Sequence, residues 1–306
     1  MNVILDKDII LELTKYISTK DKASSSHWDQ FHQTYSFDGN SFKGLEGMEG
    51  HCQPQGNPLK QFLHYLFQAK YRNMGKAYST YDNVYEKSKN VIARMNGQYD
   101  LAMIRQVLTV SLLSSQHGLC NNDTVVIIGD GFAALGSLLR EVFPSINLIF
   151  VNLNKTLLID YIYFKKVHPN SICYLAEKDS HLTPPKNGEA VFIRAENCHL
   201  IKELAPNWAI NIASMQEMDM KIINNYFDIL RSGNQALKFY CCNRISKTLP
   251  DGSVIAFESY PWQKNDVIHL DELTPWHQKY YGFSPPFYFD YDGKIKHRIA
   301  TMALNK

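Results

Sequence analysis

The sequence predicts an α/β fold: a Rossmann-like sheet, mostly parallel with an antiparallel edge strand, preceded by a helical N-terminal region. Three observations predict it. Thr124-Val-Val-Ile-Ile128 is an unbroken β-branched run, the signature of a buried strand. Gly129 and Gly131 follow at once, and then Leu135, Leu138 and Leu139 recur on one face of a helix that starts at about Phe132. From there on, apolar runs of strand length alternate with helical patterns, whereas the preceding third of the chain carries helical periodicity.

Taken in order, residues 3–18 place Ile4, Ile9, Ile10, Leu13 and Tyr16 at helical spacing. Residues 36–58 are rich in Gly, Asn and Pro, a length of loop that suits a lid over a site. Helical patterns resume at Leu59–Phe67 and again over 100–116, where His117 and Gly118 form a stop signal. Strands are expected near 124–128, 147–152, 190–194, 208–213, 236–241, 253–258 and 286–303, the last as a bent hairpin around Asp292-Gly293. A helix is expected from Lys221 to Leu230. The chain therefore divides into a helical region, 1–118, and a Rossmann-like domain, 119–306.

Composition narrows the function classes. A hydrophobic content of 45 % with 12 % aromatic residues suffices for a large core. The formal charge of +2 is spread along the chain, so no nucleic-acid partner is expected. No apolar run reaches the length of a membrane span, and the N-terminus lacks a basic segment followed by an apolar one. The six cysteines show no metal-ligand spacing, so free thiols, no metal and a cytoplasmic location are the expectation. A homo-oligomer is compatible with the sequence.

A strand, a Gly-x-Gly turn and a helix bring backbone N–H groups and a helix N-terminus beside a ligand. Gly129, Asp130 and Gly131 are thus candidate cofactor contacts. A βαβ unit that grips a ribose usually ends its second strand with a carboxylate, and this chain has Asn152 there. Trp208–Met218 runs from a strand into a polar loop, so Asn211, Ser214, Gln216 and Glu217 gather at the carboxyl end of the sheet. Glu217 could equally serve as a helix-start residue. Gly129-x-Gly131-x-x-Ala134 also satisfies the dinucleotide pattern, which keeps an NAD-dependent oxidoreductase as one alternative.

Further segments carry a family resemblance: Ile128–Leu135, Asn211–Met218, Phe239-Tyr-Cys-Cys-Asn-Arg244, Tyr260-Pro-Trp262 and Thr274-Pro-Trp276. Over roughly residues 100–300 the chain resembles class I S-adenosylmethionine-dependent methyltransferases, and within them the bacterial sugar O-methyltransferases. Three positions depart from that pattern: Ile127 and Asn152 replace acidic residues, and Ala133 replaces a glycine. The resemblance implies S-adenosyl-L-methionine as cofactor, over Gly129, Asp130, Gly131, Asn152 and Asn211, with the adenine near Glu196 and Asn197. It implies a small-molecule or glycan acceptor held by Ser214, Asn243, Tyr260 and Trp262. A sugar hydroxyl is a weak acid, so methyl transfer to it calls for a base: Glu217 first, then His277, with Glu258 and His117 behind. A non-catalytic nucleoside-binding relative is the other alternative, suggested by the departures at Ile127 and Asn152.

Overall fold

The computed structural model describes residues 3–19, 21–39, 42–45, 55–178 and 182–305. The chain opens with β1 (Val3–Leu5), α1 (Asp6–Lys15), α2 (Ser26–Phe31), β2 (Ser36–Phe37), β3 (Phe42–Lys43), α3 (Pro58–Phe67), α4 (Ala69–Gly75), α5 (Tyr81–Met95) and α6 (Leu101–Gln116). Then come β4 (Thr124–Ile128), α7 (Ala134–Val142), β5 (Asn147–Asn152), α8 (Asn154–Val167), β6 (Cys173–Ala176), β7 (Ala190–Arg194), β8 (Trp208–Ile212), α9 (Met220–Arg231) and β9 (Lys238–Arg244). β10 (Ser246–Thr248), β11 (Val254–Ala256), β12 (Val267–Leu273), β13 (Lys279–Tyr281), β14 (Tyr288–Asp290) and β15 (Ile295–Thr301) complete it.

Nine strands form one sheet in the order β1-β6-β7-β5-β4-β8-β9-β15-β12. The six strands from β6 to β9 run parallel. β1 is an antiparallel edge on β6, and β15 runs antiparallel between β9 and β12. The fold class is the one expected, with a second antiparallel strand inside the sheet. Side chains alternate across it: Val125 and Ile127 enter one apolar cluster, Val126 and Ile128 the other. The first cluster packs α5, α6, α7 and α8 on one face, and Ile9 and Leu13 of α1 join it. The second packs α9 and the 3-10 segment Ala195–Leu204 on the opposite face. Helices from before residue 119 therefore share a core with the sheet.

Local signals set several boundaries. The Asp100 side chain accepts from Met103 N at 3.0 Å and starts α6. Asn57 does the same for α3 from Lys60 N at 2.9 Å, with Pro58 in the first turn. Other expectations need correction. Val3–Leu5, read as helix, is a strand, because it covers an edge that β6 would otherwise present unpaired. The strand expected at 253–258 is only β11, in a hairpin with β10, and its place in the large sheet goes to β12. β12 is almost wholly exposed, so it carries no alternating apolar signal. The span 286–303 is not one hairpin: β14 pairs with β13, and β15 with β9 and β12. Of the loop read as a lid, 40–41 and 46–54 lie outside the described residues. Among the described residues no helix is long and apolar enough to cross a membrane, and no cluster of His, Cys, Asp or Glu is arranged for a metal ion.

Candidate functional site

The turn after β4 is built from left-handed backbone: φ is +76° at Gly129, +89° at Gly131 and +48° at Ala133. Gly129 N donates to Val151 O at 2.9 Å, which ties the turn to β5. Asp130 points back into α7, where its oxygens accept from Leu135 N at 3.1 Å and Gly136 N at 2.8 Å. Its carboxylate thus complements the positive end of that helix. At Gly136 a side chain would strike the Phe150 ring, so glycine there lets α7 lie close on β5.

Beneath the turn sits Asp160 of α8, fully buried. It accepts from Ala133 N at 2.9 Å and from Asn152 Nδ2 at 2.8 Å. Burial, and then the neighbouring Asp130 carboxylate, push its pKa well above the usual carboxylate range. Sequence reasoning missed this residue, although a lone carboxylate inside the apolar stretch Leu157–Phe164 was the available signal. The Asn152 amide is engaged here, its oxygen accepting from Leu153 N at 3.0 Å.

A second network joins the carboxyl ends of β4, β8 and β9. Asn211 Nδ2 donates to Ile128 O at 2.8 Å, while its oxygen accepts from Met215 N at 3.1 Å and Asn243 Nδ2 at 2.8 Å. Asn243 Oδ1 accepts from Gln216 N at 3.1 Å, and Gln216 Oε1 from Arg244 N at 2.7 Å. Both asparagines are fully buried. Their amides aim the loop that carries Ser214 and Glu217, and Ser214 lies directly over Gly129.

Glu217 stands at the carboxyl end of the sheet, one oxygen 2.6 Å from Lys247 Nζ and the other 3.5 Å from His27 Nε2. Burial lowers the pKa of His27, partly countered by Glu217. Glu196 is exposed and Asn197 buried, both just past β7. His277 is buried beside Cys242, its Nδ1 3.9 Å from the Cys242 Sγ. Burial, and then the neighbouring Arg105 and His297, hold its pKa well below the ordinary value. Tyr260 and Trp262 belong to the second apolar cluster, against Phe227 of α9. Trp262 also packs on Phe239, the second residue of β9, at the end of the sheet away from the glycine turn. The structure thus gathers Gly129, Asp130, Gly131, Asn152, Asn211, Ser214, Glu217 and Asn243 around the carboxyl ends, and leaves Trp262 at the other end.

A cover from the N-terminal region is expected from the 36–58 loop; the strap that crosses this edge is formed by residues 21–35, ahead of that loop. Asp21 Oδ2 accepts from Asn154 N at 3.0 Å, and the Ser25 hydroxyl donates to Glu217 O. Lys155 Nζ donates to the carbonyls of His32 and Tyr35, each at 2.5 Å. His32 and Tyr35 side chains both meet Thr156 Oγ1, at 3.2 and 3.4 Å. Between strap and sheet remains a cavity of about 20 Å³, lined by Ala23 and Trp28 on one side and by Val151, Asn152, Leu153, Ala195 and Ser214 on the other. That space holds about one water, whereas small-ligand sites run to roughly 300 Å³ or more. Entry of a nucleoside-sized ligand requires the strap to move. Larger clefts lie elsewhere, among them one of about 570 Å³ on α3 and α5 that shares no residue with the glycine turn.

No protein-family model matches the chain, and no curated protein is significantly similar to it. Solved structures resemble it at a distance. A SAM dependent methyltransferase from Aquifex aeolicus is 8 % identical, with 62 % of this chain and 88 % of that one covered at a TM-score of 0.37. For TrmK of M. capricolum, in complex with S-adenosyl-homocysteine, the figures are 12 %, 61 %, 66 % and 0.36. For a precorrin-6y C5,15-methyltransferase from Geobacter metallireducens they are 12 %, 64 %, 86 % and 0.36. Similarity at this level assigns neither substrate nor reaction.

Proposed function

We propose that the chain is an S-adenosylmethionine-dependent methyltransferase that methylates a sugar hydroxyl. The observation that carries the reading is the strand order around the Gly129–Gly131 turn. A dinucleotide-binding sheet of two equal halves runs 3-2-1-4-5-6. Here β7-β5-β4-β8-β9 follows that order, but antiparallel β15 is inserted before β12. That insertion agrees with the class I methyltransferase sheet the sequence resembles. The acceptor class rests on the resemblance of Asn211–Met218 and Phe239–Arg244 alone.

The residues present fit such a cofactor in kind. Gly131 faces open space, with nothing within 4 Å of where a side chain would start. Asn152, Leu153, Ala195 and Ser214 frame the cavity beside it, with Glu196 and Asn197 beyond β7 for the adenine. When bound, the sulfonium supplies an electrophilic methyl group. The protein then has to exclude water, align the acceptor oxygen and take its proton. Glu217 is assigned the proton, with Lys247 and His27 fixing its carboxylate. Ser214 is assigned to the acceptor, and the buried Asn243, Tyr260 and His277 to support of the site.

The test is calorimetry of the full chain with S-adenosylhomocysteine and with NAD, followed by methyl transfer to sugar acceptors. Glu217→Gln should retain S-adenosylhomocysteine affinity and lower turnover by about 10²–10⁴-fold, the usual worth of a positioned base. Binding of NAD without S-adenosylhomocysteine would replace the reading with a dehydrogenase. Binding of S-adenosylhomocysteine with no transfer to any sugar would leave a non-catalytic relative or a different acceptor.

A further inference from the structure

We propose that Asp21, on the N-terminal strap, supplies the carboxylate that grips the ribose hydroxyls of the cofactor, in place of the residue that ends β5. The inference rests on the S-adenosylmethionine reading above. The end of β5 carries Asn152, whose amide is committed to Asp160 and Leu153 N. Asp21 reaches the same corner of the sheet from a distant part of the chain, its Oδ2 on Asn154 N, two residues past Asn152. The residue is only 6 % exposed, and its second oxygen, Oδ1, is buried without a hydrogen-bond partner.

Buried polar atoms of that kind are uncommon in a finished site, and Asp21 Oδ1 has company. Asn154 Oδ1 and two donors of Arg194, Nε and Nη1, are also buried and unpartnered. Arg194, the register partner of Asn152 on β7, lays its guanidinium over the Tyr16 ring and pairs with Glu177, so its open donors belong to the strand next to β5. Acceptors and donors left open together suit a vicinal diol, whose hydroxyls both donate and accept.

The strap also explains how room is made. On its inner side lies the cavity of about 20 Å³, which Ala23 and Trp28 close. On its outer side lies a cleft of about 490 Å³ lined by Asp21, Ser24, His32 and Lys155. Outward movement of the segment from Ala23 to Trp28 joins the two spaces into one of nucleoside size. Asp21, which precedes that segment, lines the outer cleft and bonds Asn154 N, next to Leu153 of the inner cavity.

The test compares S-adenosylhomocysteine with its counterpart lacking both ribose hydroxyls, by calorimetry on the full-length parent, Asp21→Asn and Asp21→Ala. Asp21→Asn keeps an oxygen for Asn154 N and should fold as the parent does. The parent should bind the dihydroxy ligand more tightly, and Asp21→Asn should weaken that ligand roughly 10- to 100-fold, the worth of hydrogen bonds to a charged group. Neither variant should weaken the deoxygenated counterpart. Equal loss on both ligands would make Asp21 a structural residue, and unchanged affinity for both would overturn the assignment. A parent that binds no S-adenosylhomocysteine overturns the cofactor reading and this assignment with it.

Discussion

Replacing Gly129 by alanine separates two ways in which the turn after β4 depends on glycine. At φ +76° an L-residue is strained, worth about 1–2 kcal/mol. The new methyl would also sit 2.7 Å from the Ser214 Cβ and overlap its hydroxyl, and such overpacking typically adds about 1–3 kcal/mol. Gly129→Ala should therefore destabilise the fold by about 2–5 kcal/mol. Gly131→Ala has the same backbone strain at φ +89° but meets nothing within 4 Å, so about 1–2 kcal/mol is expected. Urea unfolding of each variant, without ligand, measures the difference. Ser214→Gly removes the obstructing atoms, so it should restore the packing share in the Gly129→Ala background and nothing in the Gly131→Ala background. Equal destabilisation by the two alanines, or no rescue by Ser214→Gly, would refute the reasoning.

At the amino end of the sheet, Arg231 holds Asp266 through two bonds of 2.6 and 2.7 Å with both side chains buried. Arg231→Ala should cost about 3–5 kcal/mol in unfolding experiments, because it strands a buried carboxylate, and should leave S-adenosylhomocysteine affinity unchanged. Burial alone would raise the Asp266 pKa, but the bonds from Arg231, Ala303 N and Gln263 N outweigh it and hold the value below the ordinary one. The folded state therefore prefers the ionised form, and this contribution is present above the ordinary carboxylate range and lost as pH falls through the lowered value. Asp21 has the opposite sign. Burial, reinforced by Glu196 and Asp29 against Asn154 N and Arg194, pushes its pKa up to about 6. The folded state holds that proton more tightly, so stability is greatest below the ordinary value and declines as pH rises through about 6. Asp21→Asn should gain up to about 3 kcal/mol on the parent between pH ~4 and ~7; a difference flat in pH would contradict the burial of this carboxylate.

What the sequence alone determined is what local rules write. The β-branched run of β4, the Gly129 and Gly131 turn, the ends of α6 at Asp100 and Gly118, and the gathering of Asn211, Ser214 and Glu217 at the carboxyl end of β8 all follow from periodicity, backbone freedom and strand direction within short stretches of chain. Tertiary structure decided the rest, because the partners lie far apart along the chain. Only the fold brings the amides of Asn211 and Asn243 into a hydrogen bond with each other across β8 and β9. Asp160 stands out in the sequence only as a lone carboxylate in an apolar stretch, and the fold decides that it holds the glycine turn, 27 residues away. Trp262, expected among the acceptor contacts, packs on the core side of α9. β1 reads as the first turn of a helix because the edge it covers, β6, comes much later in the chain. Asp21 is 133 residues from the helix start it meets, and no periodicity or propensity encodes a contact of that range. Such contacts arise only when the sheet brings its carboxyl ends together and the N-terminal strap, drawn by Lys155 and Thr156, closes across them.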